Sequence, residues 1–169
     1  DQMKTLYENP WFRVVADNGY HWIEEDGASQ GAAVLALVDQ REALLVEVCR
    51  PAQGNRPALE IPRGYAEPGE SSIDCACREL LEETGYRATP EQLTRLGRYR
   101  PNTAILSSGV DLYLARLTSQ DAVGSHDHEV QAVHRVAIEQ LLERLLQGEL
   151  EDGFTLAALA YWQARQQPV

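Results

Sequence analysis

Residues 64–86 read GYAEPGESSIDCACRELLEETGY, and their order is the strongest structural signal in the chain. Its second part, Ser71 to Thr84, carries the signals of both ends of a helix. Ser71 with Asp74 three residues later resembles a capping box, and Gly85 can close the last turn. Pro68-Gly69 suits the centre of a type II turn just before the helix. The sequence therefore predicts a loop, a turn and a helix in direct succession.

Three glutamates of this helix, Glu79, Glu82 and Glu83, share one face at about 100° per residue. Carboxylates this close together repel one another at neutral pH and weaken an isolated helix. Hard oxygen ligands at this spacing suit Mg²⁺ or Mn²⁺, which keep coordination positions open for water and phosphate. The spacing alone leaves two interpretations, a metal site or a solvated acidic face partly relieved by Arg78.

The order of residues from Gly64 onward is more specific than the spacing. It matches every fixed position of the pattern G-x5-E-x7-R-E-U-x-E-E-x-G-U, where U is a bulky apolar residue, with Tyr86 as the loosest fit. This pattern resembles the box of the Nudix hydrolases. The resemblance implies an α+β fold, the Nudix α/β/α sandwich with a mixed β-sheet, and metal-dependent hydrolysis of the diphosphate bond of a nucleoside diphosphate derivative.

Carried onto this sequence, the resemblance also implies roles for single residues. The metal, Mg²⁺ or Mn²⁺, would be bound by Glu79, Glu82, Glu83 and a backbone carbonyl of Arg63 or Gly64. Glu82 and Glu83 would also belong to the catalytic set. Glu70 and Arg78 would form a structural ion pair that holds the loop against the helix.

Upstream of the box, the similarity extends to the ADP-ribose pyrophosphatase branch. The run VCR at 48–50, followed by LEIPRG at 59–64, resembles the sequence of that branch, where Ala is commoner than Arg63. The resemblance implies that Arg50 contacts phosphate and that Glu60 and Arg63 belong to the substrate pocket. Pro101, fifteen residues beyond Tyr86, has a spacing associated with ADP-ribose hydrolysis, although an ordinary turn explains it equally well.

The implied reaction converts ADP-ribose to AMP and ribose 5-phosphate. GDP-mannose, other nucleotide sugars and dinucleotides are alternatives within the same chemistry, as for an enzyme of broad specificity. A non-catalytic Nudix-like module that senses a nucleotide is an alternative of another class. The intact box glutamates argue against that module.

Downstream of the box, the run Asp127-His128-Glu129-Val130 resembles an acidic loop that supplies the general base in some relatives. Glu129 is the first candidate for this base and Asp127 the second. A solvated loop is the alternative, since the whole protein is acidic. His126 and His128 could instead be read as metal ligands, but imidazole pairs better with zinc than with magnesium.

The first thirty residues, 1–30, are expected to form N-terminal strands, and 31–169 the Nudix hydrolase domain. Strands are predicted at Trp11 to Ala16 and Tyr20 to Glu24, joined by the turn Asp17-Asn18-Gly19. LYENPWF at 6–12 resembles the same branch, whose members commonly dimerise by exchanging N-terminal strands, so a homodimer is expected. The aromatic residues of this region could line an adenine pocket, but core or interface positions are the favoured interpretation for Trp11, Phe12, Tyr20 and Trp22.

The remaining elements follow from the hydrophobic pattern. Strands are predicted at Ala32 to Val38, Ala43 to Cys49, Leu59 to Pro62, Leu93 to Tyr99, Val110 to Leu117 and Val130 to Val136. Helical patterns cover Ile138 to Leu146 and Phe154 to Gln166. This mixture is typical of one α+β domain, and 169 residues suffice for a single core.

Composition limits the partners. A net charge of −11 and a pI near 4.8 disfavour nucleic acid, because a grip on a phosphate backbone needs clustered Lys and Arg. The longest apolar run, Ala32 to Val38, is too short to cross a membrane. Because this run is short and the N-terminus lacks a basic region followed by an apolar one, a cytoplasmic location is expected. The three cysteines show neither a CxxC pair nor zinc-ligand spacing, so reduced thiols are expected for Cys49, Cys75 and Cys77.

Overall fold

The computed structural model describes residues 2–127 and 129–167. The strands are β1 (Lys4–Glu8), β2 (Phe12–Asp17), β3 (Tyr20–Glu25), β4 (Ala32–Val38), β5 (Glu42–Cys49), β6 (Pro57–Glu60), β7 (Arg63–Gly64), β8 (Leu93–Tyr99), β9 (Val110–Leu117) and β10 (Ala132–Ala137). The helices are α1 (Ser72–Thr84), α2 (Ile138–Leu146) and α3 (Gly153–Gln166).

The main sheet is mixed. Its central path runs β10-β5-β4-β9-β8, with β6 paired to β5 and β7 paired to β4. Strands β4 and β9 run parallel, from Ala32 opposite Asp111 to Val38 opposite Leu117, and the other pairs are antiparallel. Every residue of β4 is buried, which explains its unbroken apolar run, because helices cover both faces of this strand.

Successive residues of β4 serve opposite layers, as the two-residue period of a strand requires. Val34 and Ala36 pack with Leu80 of α1 in one hydrophobic cluster. Leu35 and Leu37 lie in the cluster on the other face, which also contains residues of α2 and α3. The sheet is therefore enclosed between α1 and the pair α2 and α3, and the expected α/β/α sandwich is confirmed.

The ends of α1 agree with the prediction from its sequence. The Ser71 hydroxyl accepts a hydrogen bond from the backbone N–H of Asp74 at 3.3 Å. Gly69 has φ +79° in the preceding turn, and Gly85 ends the helix with φ +76°. These glycines occupy left-handed conformations that other residues adopt with strain, so the direction in which the loop enters and the chain leaves α1 is fixed locally.

Strands β1, β2 and β3 form a separate antiparallel sheet. Asn18 and Gly19 both have positive φ in the β2–β3 turn, as the sequence predicted for a tight hairpin. Two backbone hydrogen bonds of Ile23 join this sheet to the loop after β8, one to the carbonyl of Ile105 at 2.6 Å and one from Ser107 at 3.1 Å. The small sheet is thus attached to the body through its third strand.

Two strands differ from the prediction by two residues at an end, and the other predicted strands by one residue at most. The segment Leu59 to Pro62 was expected to be one strand, but pairing with β5 ends at Glu60, and β7, which starts at Arg63, pairs with β4 instead. Pro62 has no N–H to donate to a ladder, which fits this break. The last strand was predicted from Val130 to Val136. Its pairing with β5 instead runs from Ala132, opposite Glu47, to Ala137, opposite Glu42.

Within residues 2–127 and 129–167, no helix is both long and apolar enough to cross a membrane. The three cysteines are free thiols, and Cys75, on the inner face of α1, is fully buried. Burial raises the pKa of the Cys75 thiol to about 12. None of Cys49, Cys75 and Cys77 is paired in a disulfide, and their redox state in the cell stays a prediction.

Candidate active site

The acidic face of α1 opens onto a cavity of about 860 Å³, called here the box cavity. Five carboxylates line it: Glu79, Glu82 and Glu83 from α1, and Asp127 and Glu129 from the loop before β10. The box helix is positioned by its apolar face in the core, which leaves its glutamates at the edge of β7. The structure thus brings the predicted acidic residues to one place.

Two of the glutamates are fixed by the short strand β7. Glu83 accepts a hydrogen bond from the backbone N–H of Arg63 at 2.9 Å. The carboxylate of Glu79 lies directly against the Cα of Gly64, where any Cβ would collide with it. The Gly64 carbonyl already accepts a hydrogen bond from the Cys75 thiol at 3.6 Å. A glycine at position 64 is therefore required by the position of Glu79.

The box cavity carries excess negative charge. Burial and the neighbouring Glu79 carboxylate raise the pKa of Glu83 to about 8. Burial also raises the pKa of Glu79 to about 7, although Arg78 opposes this shift. Because the site disfavours the charged form of these two carboxylates, it is suited to a cation that would neutralise them.

Arg78 connects the turn to the helix. Its guanidinium donates to both oxygens of Glu70, at 2.9 and 2.8 Å, and to the carbonyl of Tyr65 at 3.1 Å. The ion pair between Glu70 and Arg78 expected from the sequence is therefore confirmed. Arg78 also donates to Glu79 at 2.9 Å and to Glu82 at 3.3 Å.

These bonds of Arg78 affect the arrangement of the carboxylates. In the described part of the chain, no three His, Cys, Asp or Glu side chains form a ready metal-binding group. Glu79 and Glu82 are turned toward the arginine, while Glu83 is turned toward β7. These side chains would have to rotate to direct all three carboxylates at one ion.

The loop that contains the candidate bases is attached to the box helix. The backbone N–H of Asp127 donates to the carbonyl of Glu82 at 2.8 Å, and the Asp127 carboxylate accepts the N–H of Glu129 at 3.2 Å. Earlier in the same loop, the N–H groups of Val123 and Gly124 both donate to the carbonyl of Gly85. Asp127 and Glu129 are therefore held beside the box glutamates.

A pair of arginines closes one side of the box cavity. Arg50 donates Nε and Nη2 to the buried carboxylate of Glu60, with a shortest distance of 2.8 Å. Arg63 donates Nη1 to Glu60 at 3.0 Å and to Asp152 at 2.7 Å, and its guanidinium lies 4.0 Å from the centre of the Phe154 ring. The predicted pocket residues Arg50, Glu60 and Arg63 thus form one network.

The sequence reasoning did not identify Asp152 and Phe154. Asp152 caps α3 by accepting hydrogen bonds from the N–H and hydroxyl of Thr155, at 3.0 and 2.8 Å. The order Asp152-Gly-Phe-Thr155 carries that capping signal in the sequence. The contact with Arg63, 89 positions away, has no local signal.

A second cavity of about 630 Å³, called here the arginine-side cavity, lies beyond this network. Arg50 and Arg63 line both cavities. The far walls of the second one come from β6, β10 and the ends of α2 and α3. The sequence reasoning did not predict this cavity.

Other candidate residues lie elsewhere. Among the described residues, Pro101 in the loop after β8 lines neither cavity, so its role in substrate binding stays a prediction. The same holds for the N-terminal aromatic residues, of which Trp11 and Tyr20 are 74% and 75% exposed. His126 is exposed and contacts the carbonyl of Asp127, and His128 lies outside the described residues.

Known proteins are similar to this chain in sequence and in fold. The family model described as NUDIX domain matches residues 29–157. ADP-ribose pyrophosphatase of Bacillus subtilis (strain 168) is 31% identical over 79% of this chain and 72% of its own length. The CMP-5'-(N-acetyl-N-hydroxy-3-aminopropyl)phosphonate hydrolase of Streptomyces rubellomurinus (strain ATCC 31215) is 31% identical over 82% of this chain and 68% of its own length.

A crystal structure of an ADP compounds hydrolase superposes with a TM-score of 0.73 at 20% identity, covering 99% of this chain and 95% of that one, and so supports the fold. The match of the family model spans both the box helix and the network of Arg50, Glu60 and Arg63. On these grounds, the chain belongs to the Nudix family of hydrolases.

Proposed function

We propose that this Nudix hydrolase cleaves the diphosphate bond of a nucleoside diphosphate derivative, foremost ADP-ribose, to give AMP and ribose 5-phosphate. The observation that carries the proposal is the box cavity, in which acidic residues face an arginine pair across a space of about 860 Å³. A diphosphate needs cations on its oxygens and a base for the attacking water. Both kinds of group line this cavity.

The residues present fit a divalent metal. The donors are hard carboxylate oxygens, and burial raises the pKa values of Glu79 and Glu83, so a bound cation would favour the charged form of both side chains. Glu79, Glu82 and Glu83 would hold Mg²⁺ or Mn²⁺ together with the carbonyl of Arg63 or Gly64. Because the Gly64 carbonyl already contacts a thiol, the Arg63 carbonyl is the favoured backbone ligand. When bound, the metal would neutralise the diphosphate and lower the pKa of a coordinated water.

Arg50 supplies the main cationic contact to the substrate. Its side chain is 41% exposed although Glu60 holds two of its nitrogens, so the rest of the guanidinium faces the cavity. A guanidinium anchored by a buried carboxylate keeps its direction when phosphate arrives, and charge-assisted hydrogen bonds to phosphate oxygens then orient the bond to be cleaved. Arg63 supports Arg50 through the same Glu60 carboxylate.

Glu129 is the proposed general base, and Asp127 is the second candidate. Both line the cavity, and the bond from Asp127 to Glu82 holds their loop beside α1. The base takes a proton from water as the water oxygen forms a new bond to phosphorus. The bond between this phosphorus and the bridging oxygen then breaks. The bridging oxygen keeps the electron pair and departs with the second phosphate. Glu129→Gln should therefore lower kcat more than Asp127→Asn.

The specificity test is product analysis over a substrate panel. Purified enzyme with Mg²⁺ or Mn²⁺ is given ADP-ribose, GDP-mannose, NADH, diadenosine polyphosphates and nucleoside triphosphates. The proposal expects ADP-ribose to be cleaved with the highest kcat/KM. Preference for GDP-mannose or comparable rates on several dinucleotides would support the alternative of broad specificity, and turnover of triphosphates alone would overturn the proposal.

A double variant, Glu82→Gln with Glu83→Gln, tests whether these carboxylates are needed for catalysis. This double variant should fold and show no metal-dependent turnover. Parental activity in the variant would exclude a role for these carboxylates. Tight binding of ADP-ribose by the wild type in calorimetry, with no products after long incubation with metal, would favour the alternative of a nucleotide-sensing module.

The division into an N-terminal strand segment, 1–30, and a Nudix domain, 31–169, is also part of the proposal, together with a homodimer. The small sheet exposes large apolar side chains, among them Leu6 at 54%, Tyr7 at 55% and Trp11 at 74%. A second copy of this chain is the proposed occupant, since such residues are costly to leave in water as a patch. Light scattering should give a dimer, and removal of residues 1–10 should give a monomer.

We further propose a cytoplasmic enzyme with a small nucleotide substrate and no nucleic acid partner. The free thiols and the net charge of −11 support this. Fractionation of cells and a filter-binding assay with duplex DNA at about 0.1 M salt test the two points.

A further inference from the structure

We propose that the arginine-side cavity binds the sugar attached to the second phosphate of a nucleoside diphosphate sugar. This inference rests on the proposed function, because it extends the substrate beyond the diphosphate. It assigns a role to a cavity that the box glutamates and the candidate bases do not line. It also predicts which kind of group the enzyme selects at that end of its substrate.

The arginine pair lies between the two cavities. Arg50 and Arg63 line both cavities, so a phosphate bound to Arg50 lies at the boundary between them. Glu60, 6% exposed, anchors both guanidiniums from below. With the bond to be cleaved in the box cavity, the group joined to the neighbouring phosphate continues into the arginine-side cavity.

The size and lining of the cavity indicate the kind of group. A volume of about 630 Å³ is within the range of small-molecule pockets, which is about 300 to 1,000 Å³. Its lining contains carboxylates such as Glu47 and Glu149 together with cations such as Arg56 and Arg144. Each hydroxyl of a sugar both donates and accepts hydrogen bonds, so a lining with both kinds of partner suits a polyhydroxylated group.

Two other occupants fit less well. A nucleobase is usually held by stacking on aromatic rings, whereas the described lining contributes a single ring, the imidazole of His134. A further phosphate needs uncompensated cations, but His134 pairs with Glu47 at 3.1 Å and Arg63 pairs with Asp152 at 2.7 Å. The lining is therefore nearly neutral in sum, which favours an uncharged sugar.

The experiment compares two substrates that share one diphosphate. ADP-ribose carries the sugar, and adenosine 5′-(methyl diphosphate) carries a methyl group in its place. Ala58 lies on β6 in the wall of the cavity and is exposed, so Ala58→Trp fills the cavity without touching the core. Arg116→Trp, at an exposed strand position of β9, is the matched control.

Ala58→Trp should lower kcat/KM for ADP-ribose at least about tenfold through KM, since one or two lost hydrogen bonds have this effect. The methyl ester should be cleaved within about twofold of the wild-type rate, because P–O cleavage does not involve the filled cavity. Arg116→Trp should change neither substrate. Arg144→Ala, at the end of α2, is a second variant that should raise the KM for ADP-ribose alone.

Equal effects on both substrates, or no effect on either, would overturn the sugar assignment while leaving the proposed function intact. Failure of the wild type to cleave any nucleoside diphosphate derivative would instead overturn the proposed function and this inference with it. A binding measurement adds an independent readout. The ring-proton NMR signals of His134, assigned with His134→Gln, should shift when ribose 5-phosphate is added at its half-inhibitory concentration, and unshifted signals would contradict the proposal.

Discussion

The backbone N–H of Arg63 donates to the carboxylate of Glu83 at 2.9 Å, although the two residues lie twenty positions apart. This bond joins the short strand β7 to the acidic face of α1. It lowers the pKa of Glu83, but burial and the neighbouring Glu79 outweigh it and raise that pKa to about 8. The hydrogen bond therefore fixes the direction of a carboxylate whose charge the surrounding protein disfavours.

The first prediction is that Glu83→Gln stabilises the metal-free protein at high pH. Below pH 4.5, the ordinary value, Glu83 is protonated in both the folded and the unfolded state, so the substitution changes little. Between 4.5 and about 8, the unfolded chain releases the proton while the folded chain retains it, and wild-type stability falls as pH rises. In EDTA at pH 8.5, the variant should melt at least ~2 °C above the wild type.

Glu139→Gln on the exposed side of α2 is the matched control, and its melting temperature should follow the wild type at each pH. Addition of Mg²⁺ should raise the melting temperature of the wild type more than that of Glu83→Gln, because binding to the folded state alone adds stability. An advantage of the variant that is equally large at pH 4.5 and 8.5 would show that the charge of Glu83 is not its cause.

The second prediction concerns Arg78. Arg78→Ala removes the partner of Glu70 and leaves Glu79 and Glu82 without their nearest cation, so the free energy of unfolding should fall by about 2 kcal/mol or more. Arg78→Lys keeps the charge and loses the paired hydrogen bonds, so its loss should be smaller. Urea denaturation measures both, and Arg56→Ala, which breaks an exposed 4.0 Å pair, should change stability by less than about 0.5 kcal/mol.

The third prediction is that Gly64→Ala impairs metal-dependent activity. The new Cβ would meet the carboxylate of Glu79, which must then move away from its position against β7. Initial rates against Mg²⁺ concentration should show a half-saturating concentration at least about tenfold higher, since misdirecting one ligand weakens binding by this order. Gly124→Ala, where the added Cβ meets open space, is the control. A normal Mg²⁺ curve for Gly64→Ala would show that Glu79 is not a ligand.

Sequence could predict α1 and its surroundings because the determining signals are local. Ser71, Gly69 and Gly85 fix the turn and both helix ends through their own backbone preferences, and the acidic face follows from helix geometry. The all-apolar run of β4 likewise indicates a strand covered on both faces. These features need no knowledge of what the rest of the chain does.

The environment of Arg63 could not be predicted in this way. Its partner Asp152 is 89 positions away, and the ring of Phe154 lies 4.0 Å from its guanidinium only because the fold brings the start of α3 to Arg63. The arginine-side cavity depends on the same packing, since its walls come from β6, β10 and the ends of two helices. Contacts between distant segments depend on the completed fold, which has no local sequence pattern.

The fourth prediction separates two roles of Asp152, which caps α3 and pairs with Arg63 at 2.7 Å. Asp152→Asn can still accept the N–H of Thr155 but loses the charge, so its free energy of unfolding should fall by about 1 kcal/mol. Asp152→Ala loses both and should fall by about 2 to 4 kcal/mol. Urea denaturation should therefore rank wild type above the Asn variant and the Asn variant above the Ala variant.

Asp26→Ala, which breaks an exposed pair with Arg13, is the control and should lose less than about 0.5 kcal/mol. Equal losses for Asn and Ala would assign the whole effect to the ion pair, and an Asn variant as stable as the wild type would assign it to the cap.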